Sequence, residues 1–337
     1  MAIPDLELQR ARAASIAERL MLTRRDLFAK ATAMASSSVV ASAKASQPMT
    51  RVNFAVPSGA CDCHTHVIGD PAKFPFAANR VYTPETASPK EMLALHHALH
   101  IQRVVIVTPS FYGTDNSAMI YGMKARGANA RGVAVIDEQT PTSDLDTMER
   151  SGIRGVRVNL ATVSQNDPAV ARRLFQSSVE RVRHLKWHIQ MNTNLMVITG
   201  MKDLVESSPI PVVFDHFGSA QAGVAQPGWA DLVDLVRSGK AYVKLSAEYS
   251  VSTQPPDYPD VAPLVRALVS ANPDRILWGS DWPHTNSKSS RARSISEITP
   301  LTSVDDGRLL NQLAVWVPDA AVRNRILVDN PVRLYRF

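Results

Sequence analysis

Eight short β-rich runs recur along the chain and alternate with segments of helical periodicity. The runs cover residues 59–66, 102–109, 131–137, 152–159, 187–193, 211–216, 241–246 and 275–281, and the clearest helical patterns cover 90–99, 116–127, 169–185, 229–238 and 259–271. Alternating strands and helices are typical of parallel βα units. Eight such units in about 280 residues predict an α/β fold, a distorted (β/α)8 or TIM barrel. We expect a single barrel domain over residues 55–337, with additional helices at its C-terminal end.

The composition excludes several classes of protein. With 45% apolar and 20% charged residues, the chain is too apolar for a disordered protein, and two cysteines in 337 residues do not make a disulfide scaffold. The net charge is +6 without a Lys/Arg block interleaved with aromatic residues, so no nucleic-acid partner is predicted. No apolar run approaches the ~20 residues of a membrane span.

The N-terminal 45 residues resemble an export signal rather than part of the fold. Arg24 and Arg25 are followed by Leu27 and Phe28 and then by a weakly apolar Ala/Ser/Val stretch over residues 31–40. This pattern predicts a twin-arginine signal over residues 1–45, with the twin-arginine export machinery as a partner and a periplasmic or exported location. The alternative is a disordered or amphipathic N-terminal segment, in which case the protein is cytoplasmic.

Polar residues collect where the predicted strands end. In a (β/α)8 barrel the carboxyl ends of the strands form the active-site face, so these side chains should share one opening. They are His64, His66, Ser110, Arg157, Asn159, Gln190, Asn192, Asp215, His216 and Asp281.

The first predicted strand carries two histidines two residues apart. Because side chains alternate along a strand, we expect Asp62, His64 and His66 to share the face toward the barrel interior. Cys61 and Cys63 should then lie on the opposite face, in the layer between strands and helices. Two imidazoles on one wall of a barrel can bind a divalent metal ion or polarise a carbonyl oxygen.

Asp281 ends the eighth predicted strand and is followed by the turn-forming pair Trp282-Pro283. Since a barrel closes between its eighth and first strands, we expect this carboxylate to face His64 and His66. The alternative is that Asp281 only caps the segment that follows it.

Three segments together resemble the amidohydrolase superfamily, of the amidohydrolase-2 type. They are Cys-His-Thr-His at 63–66, Asp-His-Phe-Gly at 215–218 and Trp-Gly-Ser-Asp-Trp-Pro-His at 278–284. Within the superfamily the chain is most similar to the branch typified by 2-pyrone-4,6-dicarboxylate lactonase. The resemblance implies a hydrolase that opens the ring of a small anionic lactone, of the 2-pyrone-dicarboxylate or muconolactone type, including sulfonated muconolactone.

The resemblance also implies roles for individual residues. Asp281 corresponds to the general base, and His64, His66 and His216 surround the substrate carbonyl. The resemblance implies substrate contacts by Arg157, Tyr82 and Ser110. Asn192, which stands where a tyrosine is common in the family, and His284 are further candidates for substrate contact, and His284 could instead lie behind the site. Other reactions stay open, namely a sugar-lactone hydrolase or isomerase, a decarboxylase, and an exported anion-binding protein without turnover. The sequence also leaves open a homo-oligomer.

For cofactors, the sequence favours either no metal or a single divalent ion such as Zn²⁺. Its ligands would be His64, His66 and Asp281, with His216 as a further ligand. His188 lies two residues before Gln190 and is expected deeper in the barrel, as a core residue. A binuclear site is therefore not expected.

Overall fold

The computed structural model describes residues 45, 47–223, 225–285 and 293–337. The predicted signal over residues 1–45 therefore lies, except for its last residue, outside the described part of the chain. From residue 45 onward the described chain forms one compact unit.

Eight parallel strands form the centre of the structure, each hydrogen-bonded to the next in chain order. They are β1 Cys61–Thr65, β2 Arg103–Val107, β3 Ala130–Ala134, β4 Ile153–Asn159, β5 His188–Asn192, β6 Val212–Phe214, β7 Ala241–Leu245 and β8 Ile276–Trp278. Each lies within or overlaps a predicted run, and the predicted (β/α)8 fold is confirmed. A further two-residue parallel pair joins Thr83–Pro84 to Ile298–Thr299.

The barrel closes between β1 and the segment that follows β8. The Asp281 amide donates to the His64 carbonyl at 2.9 Å, and the His66 amide donates to the Trp282 carbonyl at 2.8 Å. These backbone bonds place Asp281 directly beside His64 on β1 and His66, which follows β1.

Helices surround the strands and follow the βα order. They are α1 Pro89–Ala98, α2 Ser117–Arg126, α3 Thr142–Arg150, α4 Pro168–Val182, α5 Leu195–Gly200, α6 Lys202–Glu206, α7 Trp229–Arg237, α8 Glu248–Val251, α9 Ala262–Ala271, α10 Asp306–Trp316, α11 Ala320–Asn324 and α12 Asn330–Tyr335, with a π-helical turn over Arg325–Asp329. Ser88 begins α1 with a capping box, and Asp167 caps α4 ahead of Pro168, which suits the first turn of a helix. The short helices α5, α6 and α8 and the polar helix α3 were not predicted.

Two apolar layers hold the barrel together. The larger lies between strands and helices, and the smaller fills the barrel with inward side chains such as Val105, Val133 and Val213. Tyr335 from α12 belongs to the inner layer, so α12 packs across the amino-terminal end of the barrel.

The expected alternation along β1 is wrong at the cysteines. Cys61 and Cys63 belong to the inner layer, whereas Asp62 faces α1 and its Oδ2 lies 3.3 Å from His96 Nε2. The pairing of β1 with β2 shifts register between Asp62 and Thr65. An extra residue at such a shift breaks the alternation of side chains between the two faces of the strand. The alternation that holds after the shift therefore cannot be extended back to the residues before it.

Among the helices that the structure describes, none has the length and apolar character needed to cross a bilayer.

Candidate active site

Four predicted residues meet at the carboxyl end of the barrel. Asp281 Oδ1 lies 3.5 Å from His64 Nε2, 3.7 Å from His66 Nε2 and 3.9 Å from His216 Nε2. Asp281 is only 7% exposed. One carboxylate oxygen is therefore surrounded by three imidazole edges, contributed by the end of β1, the residue that follows it and the turn after β6.

The backbone around this carboxylate is unusual. His216 has φ 50° and Asp281 φ 62°, a left-handed conformation that costs a residue with a side chain of order 1–3 kcal/mol. Gly279 lies so close to β1 that a Cβ there would approach the His64 Cβ to 2.7 Å. A glycine at that position thus lets the end of β8 pack directly against His64.

Two of the imidazoles are fixed through their second nitrogen. His66 Nδ1 lies 2.8 Å from the Val107 carbonyl, and His216 Nδ1 lies 2.8 Å from Ser246 Oγ. Because a carbonyl oxygen only accepts hydrogen bonds, His66 carries a proton on Nδ1, and its Nε2 is the nitrogen directed toward Asp281.

Asp281 is held ionised. Burial alone raises the pKa of the Asp281 carboxyl. The neighbouring imidazoles of His216, His66 and His64 lower it by more than burial raises it, so the net pKa lies well below the usual range of an aspartate. Tyr249 also donates its hydroxyl hydrogen to Asp281 Oδ2 at 2.5 Å. Burial lowers the pKa of His64 and of His216, so both rings favour the neutral form.

A buried charge cluster lies beneath the imidazoles, around Asp215. Arg157 contacts Asp215 Oδ2 through Nε at 3.2 Å and a terminal nitrogen at 3.1 Å, and Gln190 donates to the same oxygen at 3.1 Å. Lys244 Nζ lies 3.4 Å and His64 Nδ1 3.2 Å from Asp215 Oδ1. Burial raises the pKa of Asp215, but Lys244, His64 and Arg157 outweigh it and hold the pKa well below its usual range.

Three further residues were predicted to contact substrate. Tyr82 is 4% exposed, and burial first of all raises the pKa of its hydroxyl to about 12. Asn192 donates to Asn159 Oδ1 at 3.2 Å, and Ser110 is half-buried where a short 3-10 helix begins. Their role toward a substrate stays a prediction.

His284 does not reach the opening. The residue is completely buried, and its Nε2 lies 3.1 Å from Asp306 Oδ2. Its ring packs against Tyr249 at 5.5 Å between ring centres. This position favours the alternative weighed from the sequence, a role behind Asp281 rather than contact with substrate.

His188 and His96 are also buried. The His188 ring lies 5.2 Å from the Tyr335 ring at the amino-terminal end of the barrel, as expected of a residue in the lower layer. His96 contacts Asp62, whose Oδ1 accepts from the amides of His64 and Ser280 at 3.1 and 3.0 Å. Asp62 thereby connects β1 to the end of β8.

Sequence reasoning missed Tyr249 and Glu248. Tyr249 and Glu248 lie on α8, a four-residue helix whose length gives no periodic signal. The available clue was their place directly after β7, at the active-site end of the barrel.

The donors around Asp281 fit one divalent cation. Donor atoms of His64, His66 and Asp281 lie within 4.8 Å of one another. His64 Nε2 is buried and has no hydrogen-bond partner among the described residues, and His66 Nε2 lies 3.7 Å from Asp281 Oδ1. Imidazole nitrogens and a carboxylate oxygen are ligands that Zn²⁺ accepts, and a cation bound here would give His64 Nε2 a partner.

The sequence model described as Amidohydrolase matches residues 61–337. The chain belongs to the amidohydrolase family. It is 36% identical over 286 residues to the 4-sulfomuconolactone hydrolase of Rhizobium radiobacter, covering 84% of this chain and 92% of the relative. It is 32% identical over 297 residues to a protein of Comamonas testosteroni named 2-pyrone-4,6-dicarbaxylate hydrolase, covering 85% and 93%. The resemblance inferred from the histidine and aspartate segments is confirmed.

A lactone isomerase is also related to this amidohydrolase. The D-galactarolactone isomerase of Agrobacterium fabrum is 27% identical over 291 residues, covering 85% of this chain and 94% of the relative. Among solved structures, an apo crystal structure from Agrobacterium tumefaciens has a TM-score of 0.72 at 26% identity, covering 85% of this chain and 98% of that chain.

Glu248 gives a prediction on stability that does not depend on the reaction. It is completely buried, and neither carboxyl oxygen has a hydrogen-bond partner among the described residues. Burial is the main cause that raises its pKa from 4.5 to about 8. Between these values the unfolded chain has lost the proton and the folded chain keeps it, so stability falls as pH rises.

Glu248→Gln removes this titration. We expect the free energy of unfolding of the variant, relative to wild type, to rise by about 1.4 kcal/mol per pH unit between pH 5 and 8. Urea unfolding of both proteins at four pH values measures the difference. Glu180→Gln, at an exposed position of α4, is the control and should show a constant difference. A constant difference for Glu248→Gln as well would contradict the prediction.

Proposed function

We propose that the protein hydrolyses a small anionic lactone of the 2-pyrone-dicarboxylate or muconolactone type, including sulfonated muconolactone. The observation that carries the proposal is the ionised Asp281 carboxylate, whose Oδ1 lies 3.5–3.9 Å from three imidazole nitrogens at the active-site end of the barrel. The names of relatives at 36% and 32% identity, both hydrolases, support the same reaction class.

Asp281 activates water in this mechanism. The carboxylate takes a proton from a water molecule while the water oxygen attacks the lactone carbonyl carbon. Negative charge then develops on the carbonyl oxygen, where the imidazoles of His64 and His216 can donate hydrogen bonds. Tyr249 holds the other carboxylate oxygen, so Oδ1 stays directed at the reacting water.

Ring opening returns the proton. The bond between the carbonyl carbon and the ring oxygen breaks, and Asp281 gives its proton to the departing oxygen. The new carboxylic acid loses its own proton to solvent at neutral pH. Hydrolysis therefore releases acid, whereas an isomerase on the same barrel releases none.

The charge count bears on how an anionic substrate is bound. The cations Arg157 and Lys244 are balanced by Asp215 and Asp281, so these four groups cancel. Two nitrogens of Arg157 are occupied by Asp215, and the remaining terminal nitrogen is the group that we propose for an anionic substituent. A single divalent cation would make the site positive and favour a substrate with one or two acidic groups.

His64, His66 and Asp281 would hold that cation, with His216 beside them. When bound, it supplies polarisation of the carbonyl and a lower pKa for water. The roles of Tyr249, Arg157 and Asp215 in orienting groups and balancing charge are the same with or without it.

A panel of lactones tests the function. Proton release, followed with a pH indicator, and product analysis are measured for pyrone-dicarboxylate, muconolactone, sulfomuconolactone and sugar lactones. We expect acid release with an anionic lactone. Conversion of a lactone without acid release would support the isomerase instead, and binding without any turnover would support an anion-binding protein. Metal analysis of the same preparation establishes the ion content.

We also propose export through the twin-arginine route, supported by Arg24-Arg25 and the following Leu27-Phe28. Replacing both arginines with lysine should retain the protein in the cytoplasm, which cell fractionation measures. A double-lysine variant that is located in the same compartment as wild type would contradict the proposed export route.

Tyr249→Phe tests the orientation of Asp281. The variant loses one hydroxyl that donates to a carboxylate, an interaction of about 1.5–3 kcal/mol. We expect kcat to fall about 10- to 100-fold with little change in KM, because the hydroxyl acts on the base rather than on the substrate. Tyr258→Phe, which removes the hydroxyl of another tyrosine (7% exposed), is the control. Equal kcat values for both variants would show that Tyr249 does not position the base.

A further inference from the structure

Lys244 is a lysine inside the barrel. Its side chain has no exposed area and projects from β7 into the space beneath the histidines. The ammonium donates to Gln190 Oε1 at 2.7 Å and lies 3.2 Å from His64 Nδ1 and 3.4 Å from Asp215 Oδ1. Lysine is rarely buried so completely, and here its charge is balanced by a carboxylate.

Two of the residues that Lys244 contacts, His64 and Asp215, belong to a second set of metal donors. Ligand atoms of His64, Asp215 and His216 lie within 4.8 Å of one another, as do those of the set formed by His64, His66 and Asp281. His64 is common to both sets, with Nε2 toward Asp281 and Nδ1 toward Asp215. Lys244 Nζ contacts His64 and Asp215, two members of the second set. Among the hydrogen bonds and ion pairs of the described residues, it has none with His66 or Asp281.

We propose that Lys244 is a built-in cation that takes the place of a second metal ion between His64 and Asp215, and so limits the barrel to one ion at most. Asp215 also pairs with Arg157, so a divalent ion at this position would join two fixed positive charges around one carboxylate. Removing the Lys244 charge leaves Asp215, His64 and His216 with a single neighbouring cation and makes the second donor set available.

The inference rests on the cation site proposed above but not on lactone hydrolysis. The count of bound metal ions tests the role of Lys244, and acid release from a lactone tests the proposed reaction. Either result can contradict its own proposal without contradicting the other.

The experiment counts Co²⁺ ions bound per chain after equilibration and gel filtration, by elemental analysis and by visible absorption. Lys244→Gln keeps a polar side chain but no charge, and we expect it to bind one more ion than wild type. His216→Ala in the Lys244→Gln background should abolish that gain. Lys202→Gln, which breaks the surface pair with Asp231 at 2.9 Å, is the control and should match wild type.

Two results would overturn the proposal. One is a folded Lys244→Gln protein that binds no more Co²⁺ than wild type, with folding checked by circular dichroism. If Lys244→Gln does not fold, Lys244→Leu is measured in its place. The other is wild-type protein that itself binds two ions per chain, a result that requires no variant.

Discussion

Asp281→Asn is expected to lower kcat on the hydrolysed lactone by about 10²–10⁴-fold, the range that a positioned general base contributes. The amide has nearly the same shape as the carboxylate but cannot accept the proton of the attacking water. Tyr249 can still donate to the amide oxygen, so the position of the side chain should be preserved. Steady-state kinetics and direct substrate binding are measured on the same preparation.

The binding measurement separates an enzyme from a binding protein. A hydrolase should lose turnover in Asp281→Asn while still binding the lactone, whereas a pure anion-binding protein should be unaffected or bind more tightly when a negative charge is removed. Asp274→Asn is the control, since Asp274 is about half exposed just before β8, at the opposite end of the strand, and pairs with Arg325 at 3.6 Å. Turnover within a few-fold of wild type in Asp281→Asn would remove Asp281 from the role of base.

Metal content must be measured in this variant as well. Asp281 belongs to the donor set with His64 and His66, so its replacement also weakens the proposed cation site. If wild type carries no ion, the loss of turnover reports the base alone. If wild type carries one ion, excess metal is added to Asp281→Asn until its ion content matches that of wild type. We expect kcat of the variant to stay low.

The barrel and the meeting of Asp281 with His64 and His66 were predictable because they depend on local pattern and on topology. Short β-rich runs separated by helical periodicity give the strand count, and closure of a barrel brings the eighth strand to the first. The structure confirms the fold and brings these side chains within 3.5–3.7 Å. This prediction needed no knowledge of which residues distant in sequence contact one another.

The orientation along β1 was not predictable in the same way. The two-residue period assigns Cys61 and Cys63 to the outer face, but the register shift against β2 turns them into the barrel. That shift depends on neighbours far along the chain, since Asp62 contacts Ser280 and a glycine at 279 leaves room for His64. A single strand's sequence contains neither condition.

The ion-pair partners of the charged residues could not be predicted from the sequence either. Arg157 was expected to face the substrate, and the structure pairs two of its nitrogens with Asp215, 58 residues away. Charge type and strand position can be read from a sequence, whereas the pairing follows from how neighbouring strands are staggered. The substrate preference depends on the same pairing, because it is set by the cations that remain available to an anionic group.

Asp215→Asn is expected to lower the free energy of unfolding at pH 7 by about 3–5 kcal/mol, as when one partner of a buried ion pair is removed. The change leaves Arg157 and Lys244 without their shared carboxylate, and these side chains are only 4% and 0% exposed. Asp203→Asn is the matched control, since its pair with Arg172 involves side chains that are 65% and 35% exposed, and a loss below about 1 kcal/mol is expected.

The pH dependence of this loss has a definite sign. Although burial alone raises the pKa of Asp215, the neighbouring cations hold the folded-state pKa well below its usual value, so the carboxylate contributes stability above the unfolded-state pKa of about 3.9. The difference between wild type and Asp215→Asn should therefore stay constant from pH 5 to 8 and shrink as the pH falls through the folded-state pKa. Urea unfolding across this range measures it. A loss within 1 kcal/mol at pH 7 would mean that Asp215 does not balance Arg157 and Lys244, because two buried cations without a counter-charge cannot leave the folded state equally stable.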